Sequence, residues 1–329
     1  MTVKAGSIRF NTDTTRMEIY NGEAWWEIDI DHASAGRGFF MGGTPTPDRI
    51  DFISMDFGGT ATDFGNLSTG RFTGGAFASQ TRAVYVAGEF APGAETNLVD
   101  YITMSSAGDA KSFGDLIGTR RYTLLAVSNK TRGITGGGGT PTRVNTLDYF
   151  TISTQGNSSD FGDLLTAVTS PFSAQSATRA IMSGGTTPSN STAIEFFTMT
   201  SLGNATDFGD LTVARASGGG GSNSTRAVFM GGTVVPSSPA GVDTIDYVEI
   251  STTGNAIDFG NTATSKNGAD GGCASPNRIC QGGGNNPSAI SQIDGVRPQT
   301  TGNAIDFGDL SAARTYAFGT SNSHGGVSM

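Results

Sequence analysis

The chain has few of the side chains that most metal and redox sites need. Its 329 residues include two histidines, His32 and His324, and two cysteines, Cys273 and Cys280. A copper-dependent oxidase needs several histidine and tyrosine ligands at one point, and a zinc site needs more ligands than the cysteines have nearby. We therefore expect no metal and no cofactor. The cysteines flank a turn at Pro276, and we expect reduced thiols in neighbouring strands rather than a disulfide.

Basic residues and long apolar runs are also scarce. The chain has 20 Lys and Arg against 29 Asp and Glu, a formal net charge of -9, and no basic cluster. Binding to nucleic acid through phosphate neutralisation is therefore not expected. The sequence contains no run of about 18 apolar residues, so no membrane-spanning helix is predicted. The polar first residues do not resemble a signal peptide. We expect synthesis in a cytoplasm and release by a route other than secretion.

Glycine, by contrast, is abundant. The 49 glycines do not recur at every third position and accompany 36% apolar residues, which argues against both collagen and a disordered chain. The apolar runs are short and rich in Val, Ile, Phe, Tyr and Thr, and glycine-containing turns separate them. No long amphipathic helix is predicted. The composition indicates an all-β protein with many short strands.

One nine-residue phrase recurs along the chain. Residues 203–211, GNATDFGDL, have close copies from Thr60 to Leu310, with intervals of 49, 48, 47, 51 and 48 residues between successive phenylalanines. Six copies at this spacing predict a repeat fold. We expect the phenylalanines to pack as wedges between neighbouring sheets, and they are Phe64, Phe113, Phe161, Phe208, Phe259 and Phe307.

Two further landmarks share this period. An acidic residue followed by an aromatic one, as at Asp246 and Tyr247, lies 12 residues before the phrase's Asp position in each unit, although the sixth unit has Asp294 followed by Gly295. A short apolar run opened by arginine, as at Arg226, precedes that pair by 14 to 20 residues. Only this second interval varies, so it predicts a surface loop in every unit. These loops are candidate binding loops along one face, and their prolines are Pro45, Pro92, Pro141, Pro188, Pro236 and Pro287.

The landmarks predict a four-stranded sheet in each unit. In the fifth unit the strands are expected at residues 215–220, 226–230, 244–251 and 256–262. The first unit lacks its own first strand, and residues 314–322 match 215–223. We therefore expect the C-terminal strand, at about 313–323, to complete the first sheet and close a ring of six.

Residues 1–31 do not belong to the repeat. Three short strands are predicted there, with Asn21-Gly22 as a hairpin turn between the second and the third. A three-stranded meander is barely stable alone. Trp25 and Trp26 occupy adjacent strand positions and should face opposite ways, so they and Tyr20 are candidate docking residues. The meander either packs on the domain formed by residues 32–329 or docks onto another chain.

Two resemblances follow from these motifs. The repeats resemble kelch units, because an apolar strand ends in Gly-Gly, a variable loop follows, and an aromatic residue precedes a leucine, although Phe208 and its equivalents stand where kelch units usually have tryptophan. This resemblance implies a six-bladed kelch-like β-propeller with a small N-terminal β-meander. Residues 5–28 resemble a short module of tail-fibre and other structural proteins of tailed bacteriophages.

The remaining chemical motifs favour structural roles. Asp-Phe-Gly occurs six times without the other kinase motifs, and the glycine runs lack the Gly-Lys-Ser/Thr of a phosphate-binding loop. Carboxylate pairs such as Asp207 with Asp210 have the chemistry for acid–base work or calcium binding. A residue that recurs in most units is expected instead to cap the turn after the fourth strand. We expect the arginine that opens the second strand, as at Arg226, to pair with these carboxylates.

The resemblance of residues 5–28 to phage modules implies a non-enzymatic virion structural protein of a tailed bacteriophage, and the scarcity of histidine and the lack of a singular cluster of acids agree with a non-enzymatic role. It would be a tail-fibre, receptor-binding or particle-decorating component, located in the virion and attached to other virion proteins through residues 1–31. The propeller loops would face a host surface glycan or protein, and an oligomer is compatible with this role. The alternative is a glycan-active enzyme, hydrolase or lyase, on a propeller scaffold. A carboxylate or arginine found in one blade only, clustered in a central pocket, would favour that alternative.

Overall fold

The chain divides into two compact units, Met1–Ala35 and Gly36–Met329. The structure is a computed structural model that describes residues 3–12, 16–27, 36–90, 93–122, 124–234 and 241–327. The domain boundary predicted after residue 31 lies in the segment 28–35, outside the described residues.

The N-terminal unit contains a three-stranded antiparallel sheet in the order β1-β2-β3. The side-chain oxygen of Asn21 accepts hydrogen bonds from the backbone N–H groups of Glu23 and Ala24, at 2.9 and 2.8 Å. This is the turn chemistry for which asparagine is favoured. The strands are β1 (Ile8–Asn11), β2 (Arg16–Tyr20) and β3 (Trp25–Glu27).

The second unit is a six-bladed β-propeller, and its described residues form strands and turns without a helix. Each blade is an antiparallel sheet whose four principal strands, from the centre outwards, are called A, B, C and D here. Blade 1 contains β4 (Arg37–Met41), β5 (Arg49–Ser54) and β6 (Thr62–Asn66). Blade 2 contains β7 (Gly75–Ala78), β8 (Arg82–Val86), β9 (Glu89–Phe90), β10 (Ala94–Thr103) and β11 (Lys111–Arg120). Blade 3 contains β12 (Leu125–Ser128), β13 (Arg132–Gly136), β14 (Gly139–Thr140), β15 (Thr142–Arg143), β16 (Thr146–Thr151) and β17 (Ser159–Asp163). Blade 4 contains β18 (Phe172–Gln175), β19 (Arg179–Ser183), β20 (Ala193–Thr198) and β21 (Thr206–Asp210). Blade 5 contains β22 (Gly219–Ser222), β23 (Arg226–Met230), β24 (Val242–Glu249) and β25 (Ile257–Lys266). Blade 6 contains β26 (Cys273–Ala274), β27 (Ile279–Gly282), β28 (Gln292–Val296) and β29 (Ile305–Asp309), and the last strand, β30 (Phe318–Ser321), returns to blade 1. This architecture confirms the predicted fold class.

The ring closes through the C-terminal strand, as the sequence predicts. Strand β30 is strand A of blade 1 and pairs antiparallel with β4, with Phe318 opposite Met41 and Ser321 opposite Gly38. Blade 1 therefore combines the two ends of the repeat region. Without β30, β4 would be an unpaired edge strand, so this pairing gives blade 1 the same four strands as the other blades.

In blade 5 the first strand begins later than predicted. Strand A is Gly219–Ser222 rather than 215–220. Residues 215–218 form the bend into the strand, because the Arg215 side chain is buried and Ser217 has a φ of 55°. Strand B is at 226–230 as predicted, and strand D runs on to Lys266.

The phenylalanines of the repeated phrase lie between neighbouring blades. All six are buried, with 2–7% exposure. Each lies in a separate hydrophobic cluster shared by two adjacent blades. Phe208 of blade 4, for example, shares its cluster with Val248 and Ile250 of blade 5, and Phe307 of blade 6 shares one with Ile53 of blade 1.

The phrase also connects the blades through hydrogen bonds. The carbonyl of Phe208 accepts from the N–H of Gly254 in blade 5 at 2.8 Å, and the N–H of Asp210 donates to the Asn255 side-chain oxygen at 3.1 Å. The glycine-to-phenylalanine bond recurs at all six junctions, at 2.8–3.0 Å. The C–D turn of each blade therefore covers the outer strand of the preceding blade. The need to keep this register explains the constant spacing of the C–D segment.

Five blades bury an ion pair between a basic residue before strand A and the acidic residue of strand C. The pairs have N–O distances of 2.5–3.0 Å, and both side chains are at most 6% exposed. Burial lowers the pKa of the Arg215 guanidinium, whereas the charge of Asp246 acts in the opposite direction. These pairs were not predicted; they are Arg71–Asp100, Arg120–Asp148, Arg215–Asp246, Lys266–Asp294 and Arg314–Asp51.

The arginine that opens strand B has different partners from those predicted. In blade 4, Arg179 lies over the ring of Phe196, 4.3 Å from its centroid, and donates to the carbonyl of Ile250 in blade 5 at 2.7 Å. The expected pairing with the carboxylates of the phrase was wrong. Two of those carboxylates bond within their own blade instead, since Asp210 accepts from the Thr192 hydroxyl and Asp309 from the Ser291 hydroxyl, each at 2.8 Å.

Candidate binding face

The loops between strands B and C leave the ring at one end, here called the loop face. The antiparallel order A-B-C-D places them beside the segments that lead into strand A. Isolated bridges connect the two sets of segments in every blade, such as Thr169 with Thr186 and Ala216 with Thr233. The predicted loop prolines Pro45, Pro141, Pro188 and Pro287 are among the described residues, whereas Pro92 and Pro236 lie outside them.

The centre of the ring is almost filled. The innermost strands enclose a cavity of about 30 Å³, lined among others by Phe77, Phe172 and Phe318. Such a volume holds only one or two waters. Gly272 and Gly319 permit this close approach, because a Cβ atom on Gly319 would lie 2.6 Å from the carbonyl carbon of Gly272. Among the described residues, the centre of the propeller therefore has room for water but not for a substrate-sized molecule.

The C-terminal tail packs at the end of the centre opposite the loop face. His324 is buried, and its Nε2 lies 2.9 Å from the carbonyl oxygen of Ala78 and 3.2 Å from the hydroxyl of Ser128. Its Nδ1 lies 2.9 Å from the Gln175 side-chain nitrogen and accepts from the Gly326 N–H at 3.1 Å. Burial lowers the pKa of His324 to about 4. This histidine is therefore a neutral structural group at neutral pH.

Left-handed backbone surrounds the centre at the loop face. In each blade, one residue of the segment that leads into strand A has a φ between 54° and 67°. Five of these six residues are not glycine. Five of these backbones form a partial belt in which four N–H groups donate to the carbonyl of the equivalent residue in the preceding blade, at 2.6–3.1 Å. Non-glycine residues in this conformation cost about 1–3 kcal/mol each and often lie at functional sites. The belt contains Tyr122, Ser170, Ser217, Gly268 and Tyr316.

A charged cluster that occurs only once in the ring lies beside this belt. Glu89 accepts from the Thr73 hydroxyl at 3.2 Å and pairs with Arg121 at 3.4 Å. Arg121 also pairs with Glu95 at 3.4 Å and donates to the carbonyl of Gly93 at 3.0 Å. The other blades have no equivalent of Glu89 or Arg121. This cluster has the polar groups to bind a ligand.

A hollow of about 290 Å³ opens next to the cluster. Tyr122, Pro141, Arg143 and Thr169 are among the residues that line it. Tyr122 is 41% exposed, and the guanidinium of Arg121 lies 4.4 Å from its ring centroid. An exposed ring with adjacent hydrogen-bonding groups suits a ligand that has both apolar and polar faces, such as a sugar. Of the predicted loop prolines, Pro141 borders this hollow.

The predicted docking residues of the N-terminal sheet have partners within that sheet. The rings of Tyr20 and Trp25 lie 5.4 Å apart, and the Arg9 guanidinium lies 4.2 Å from the Trp25 centroid. Trp26 pairs with Ile19 through the backbone, but its side chain lies outside the described residues. The sequence analysis missed the apolar residues Ile8 and Phe10, which are 58% and 57% exposed. Their alternation along β1 was a detectable signal.

The cysteines have structural positions. Cys273 and Cys280 lie opposite each other on β26 and β27, as predicted for neighbouring strands, and both are free thiols. Burial raises the pKa of Cys273 to about 12 and that of Cys280 well above its usual value. Both groups are therefore unreactive thiols near neutral pH.

In the ranges that the structure describes, no three His, Cys, Asp or Glu side chains form a metal site, and no helix suits a membrane crossing. His32 lies outside those ranges. Comparison of the chain with protein-family models and with curated proteins found no match.

Proposed function

We propose that this chain is a non-enzymatic structural protein of a tailed-bacteriophage virion. It attaches to other virion proteins through the N-terminal sheet and presents the loop face of a kelch-like propeller to a host surface glycan or protein. The observation that carries this proposal is the apolar surface on the N-terminal sheet. Ile8 and Phe10 on β1, together with Ile19 opposite Ile8 on β2, are 38–58% exposed.

This apolar surface suits an attachment role. A sheet of three short strands buries little surface on its own, and apolar residues exposed on it gain stability when a partner covers them. The opposite side carries the ion pair of Arg9 with Glu18, at 2.7 Å, together with Tyr20 and Trp25. We propose another virion protein as the partner that covers Ile8, Phe10 and Ile19.

The loop face supports the second half of the proposal. The loops of variable length, the strained belt and the hollow beside Tyr122 provide surface for recognition, whereas the centre of the ring holds a cavity of only about 30 Å³. The acidic side chains of the buried ion pairs and of the repeated phrase recur from blade to blade, which indicates that they stabilise the blades. These features favour binding over catalysis.

The decisive experiment locates the chain in purified particles. Particles from the phage that encodes the chain are expected to contain it, by mass spectrometry and by immunogold labelling. The Ile8→Ser, Phe10→Ser double variant should reduce incorporation by at least about tenfold, because burial of each large apolar side chain contributes roughly 1.5–3 kcal/mol. The exposed control Glu23→Ser should incorporate normally. Absence of the wild-type chain from particles would contradict the proposal.

A glycan-active enzyme is the second candidate. The charged cluster of Glu89 and Arg121 favours it, because it occurs in one place on the ring and Arg121 lies 4.4 Å from the ring centroid of Tyr122, which lines a hollow. Against it, Arg121 already pairs with both Glu89 and Glu95. The isolated protein is therefore expected to bind but not to cleave host surface polysaccharide. Cleavage that is lost in Glu89→Gln would establish the enzyme instead.

A further inference from the structure

Blade 6 lacks a side chain that the other five blades supply. Their strand C carries an aromatic ring beneath the arginine that opens strand B, with the guanidinium carbon 4.3–5.2 Å from the ring centroid. In blade 6 this position is Gly295, which pairs with Cys280 and Ile305 on the neighbouring strands. The rings in the other blades are Phe52, Tyr101, Tyr149, Phe196 and Tyr247.

The absence of this ring coincides with a cavity of about 320 Å³. Gly295, Arg278, Phe259, Val296 and the 61% exposed Ile305 are among the residues that line it. An apolar cavity of roughly 150 Å³ is already large enough to bind benzene in a protein interior. The cavity therefore has room for an aromatic ring.

Arg278 has also lost its other partners. In blade 5 the equivalent Arg226 pairs with Glu249 at 2.7 Å and donates to the carbonyl of Pro298 at 2.8 Å. In blade 6 the position of Glu249 is occupied by Arg297, and within the described ranges no carbonyl accepts from the Arg278 guanidinium. Arg278 instead lies 4.3 Å from the centroid of Phe307.

We propose that this cavity binds the aromatic side chain of a partner polypeptide, a tyrosine or phenylalanine with an acidic residue two positions away. The other blades define the ring, because each places one of its own beneath the same arginine. Blade 5 defines the acid, since Tyr247 and Glu249 are two residues apart on one face of a strand and both contact Arg226. Arg278 and Arg297 give the cavity a positive charge that complements a carboxylate.

An exposed apolar side chain at the cavity favours a polypeptide over a free small molecule. Ile305 borders the cavity and is 61% exposed, and the ring of Phe259 also lines it. A polypeptide that inserts a ring next to Gly295 can cover such neighbouring surface, whereas a small aromatic compound covers little of it.

The test uses amide-resolved NMR titration of the full chain with the acetylated, amidated tripeptide Tyr-Gly-Glu. Saturable shifts are expected at Gly295 and at residues 300–303. Ala-Gly-Glu should cause none, and Tyr-Gly-Gln should bind about two- to fivefold more weakly, as expected for a solvent-exposed ion pair. Absence of saturable shifts with Tyr-Gly-Glu, or equal shifts with Ala-Gly-Glu, would overturn the proposal.

Two variants locate the site. Gly295→Tyr supplies the missing ring and should abolish binding, whereas Arg278→Gln should weaken it in a chain with an unchanged backbone. The matched variant Tyr247→Gly removes the ring from blade 5 and should create a second site near residues 252–255. At that site Tyr-Gly-Glu and Tyr-Gly-Gln should bind equally well, because Glu249 already pairs with Arg226. Shifts that persist in Gly295→Tyr would reject the site. Equally tight binding of 4-methylphenol would identify a small-molecule site and refute the polypeptide partner.

Discussion

Arg215 and Asp246 form an ion pair of 2.9 Å in which neither side chain has solvent exposure. Asp246 also accepts from the hydroxyl of Thr212 at the end of blade 4. The carboxylate therefore connects two neighbouring blades. Because an isolated charge is costly in such a place, each group depends on the other.

Removal of one partner should be strongly destabilising. Asp246→Ala leaves the buried Arg215 uncompensated and is expected to lower the free energy of unfolding by roughly 3–5 kcal/mol. Urea denaturation measures this change. Asp243→Ala, at an exposed position of the same strand, is the control and should remain within about 0.5 kcal/mol of the wild type. Similar losses in both variants would contradict a special role for the buried pair.

Stability should fall as His324 is forced to take up a proton. Its pKa is lowered from 6.5 to about 4 in the folded chain, so below pH 6.5 the unfolded chain binds the proton more readily. We expect a loss of roughly 2–3 kcal/mol between pH 7.5 and 4.5 from this group. The pH dependence of urea unfolding should be reduced by that amount in His324→Gln. An unchanged pH dependence would show that His324 is not buried as a neutral group.

The phenylalanines of the repeated phrase should contribute much more to the free energy of unfolding than exposed phenylalanines do. Phe208 has 2% exposure between blades 4 and 5, so Phe208→Ala is expected to cost roughly 3–5 kcal/mol. Phe57→Ala removes the same ring from a position with 68% exposure and should change stability by less than about 0.5 kcal/mol. Thermal or chemical denaturation distinguishes the two. A small effect of Phe208→Ala would contradict its role as a wedge.

The strand-B arginines should act through geometry as well as charge. Arg179→Ala removes both the contact with the Phe196 ring and the hydrogen bond to Ile250, and is expected to cost about 1–3 kcal/mol. Arg179→Lys keeps the charge but loses the planar group that fits both partners. It should therefore lie between the wild type and the alanine variant in urea denaturation. Wild-type stability of the alanine variant would refute the contacts.

Much of the fold was predictable because the repeat is regular. Constant spacing between the acidic residue of strand C and Phe208 indicated fixed strand pairing, and the match of residues 314–322 to 215–223 predicted the closing strand. The partners of the two repeated arginines were less predictable. Arg215 and Arg226 look alike in sequence, but one is buried against Asp246 and the other lies over Tyr247.

The candidate sites were predictable only in part. The variable loops indicated a binding face, whereas the cluster of Glu89 and Arg121 combines residues 32 positions apart that no repeat relates. The sequence shows that the sixth unit has Gly295 where the other units have an aromatic residue. The consequence, a cavity beneath Arg278, required the positions of the surrounding side chains.

The sequence by itself determined the number of blades, the constant C–D segment and the strand that closes the ring. These features depend on the periodic spacing of residues along the chain, which any strand pairing must respect. The tertiary structure decided which charges are paired and where cavities remain. Contacts between residues far apart in sequence depend on how neighbouring sheets pack, and local pattern carries little information about that packing.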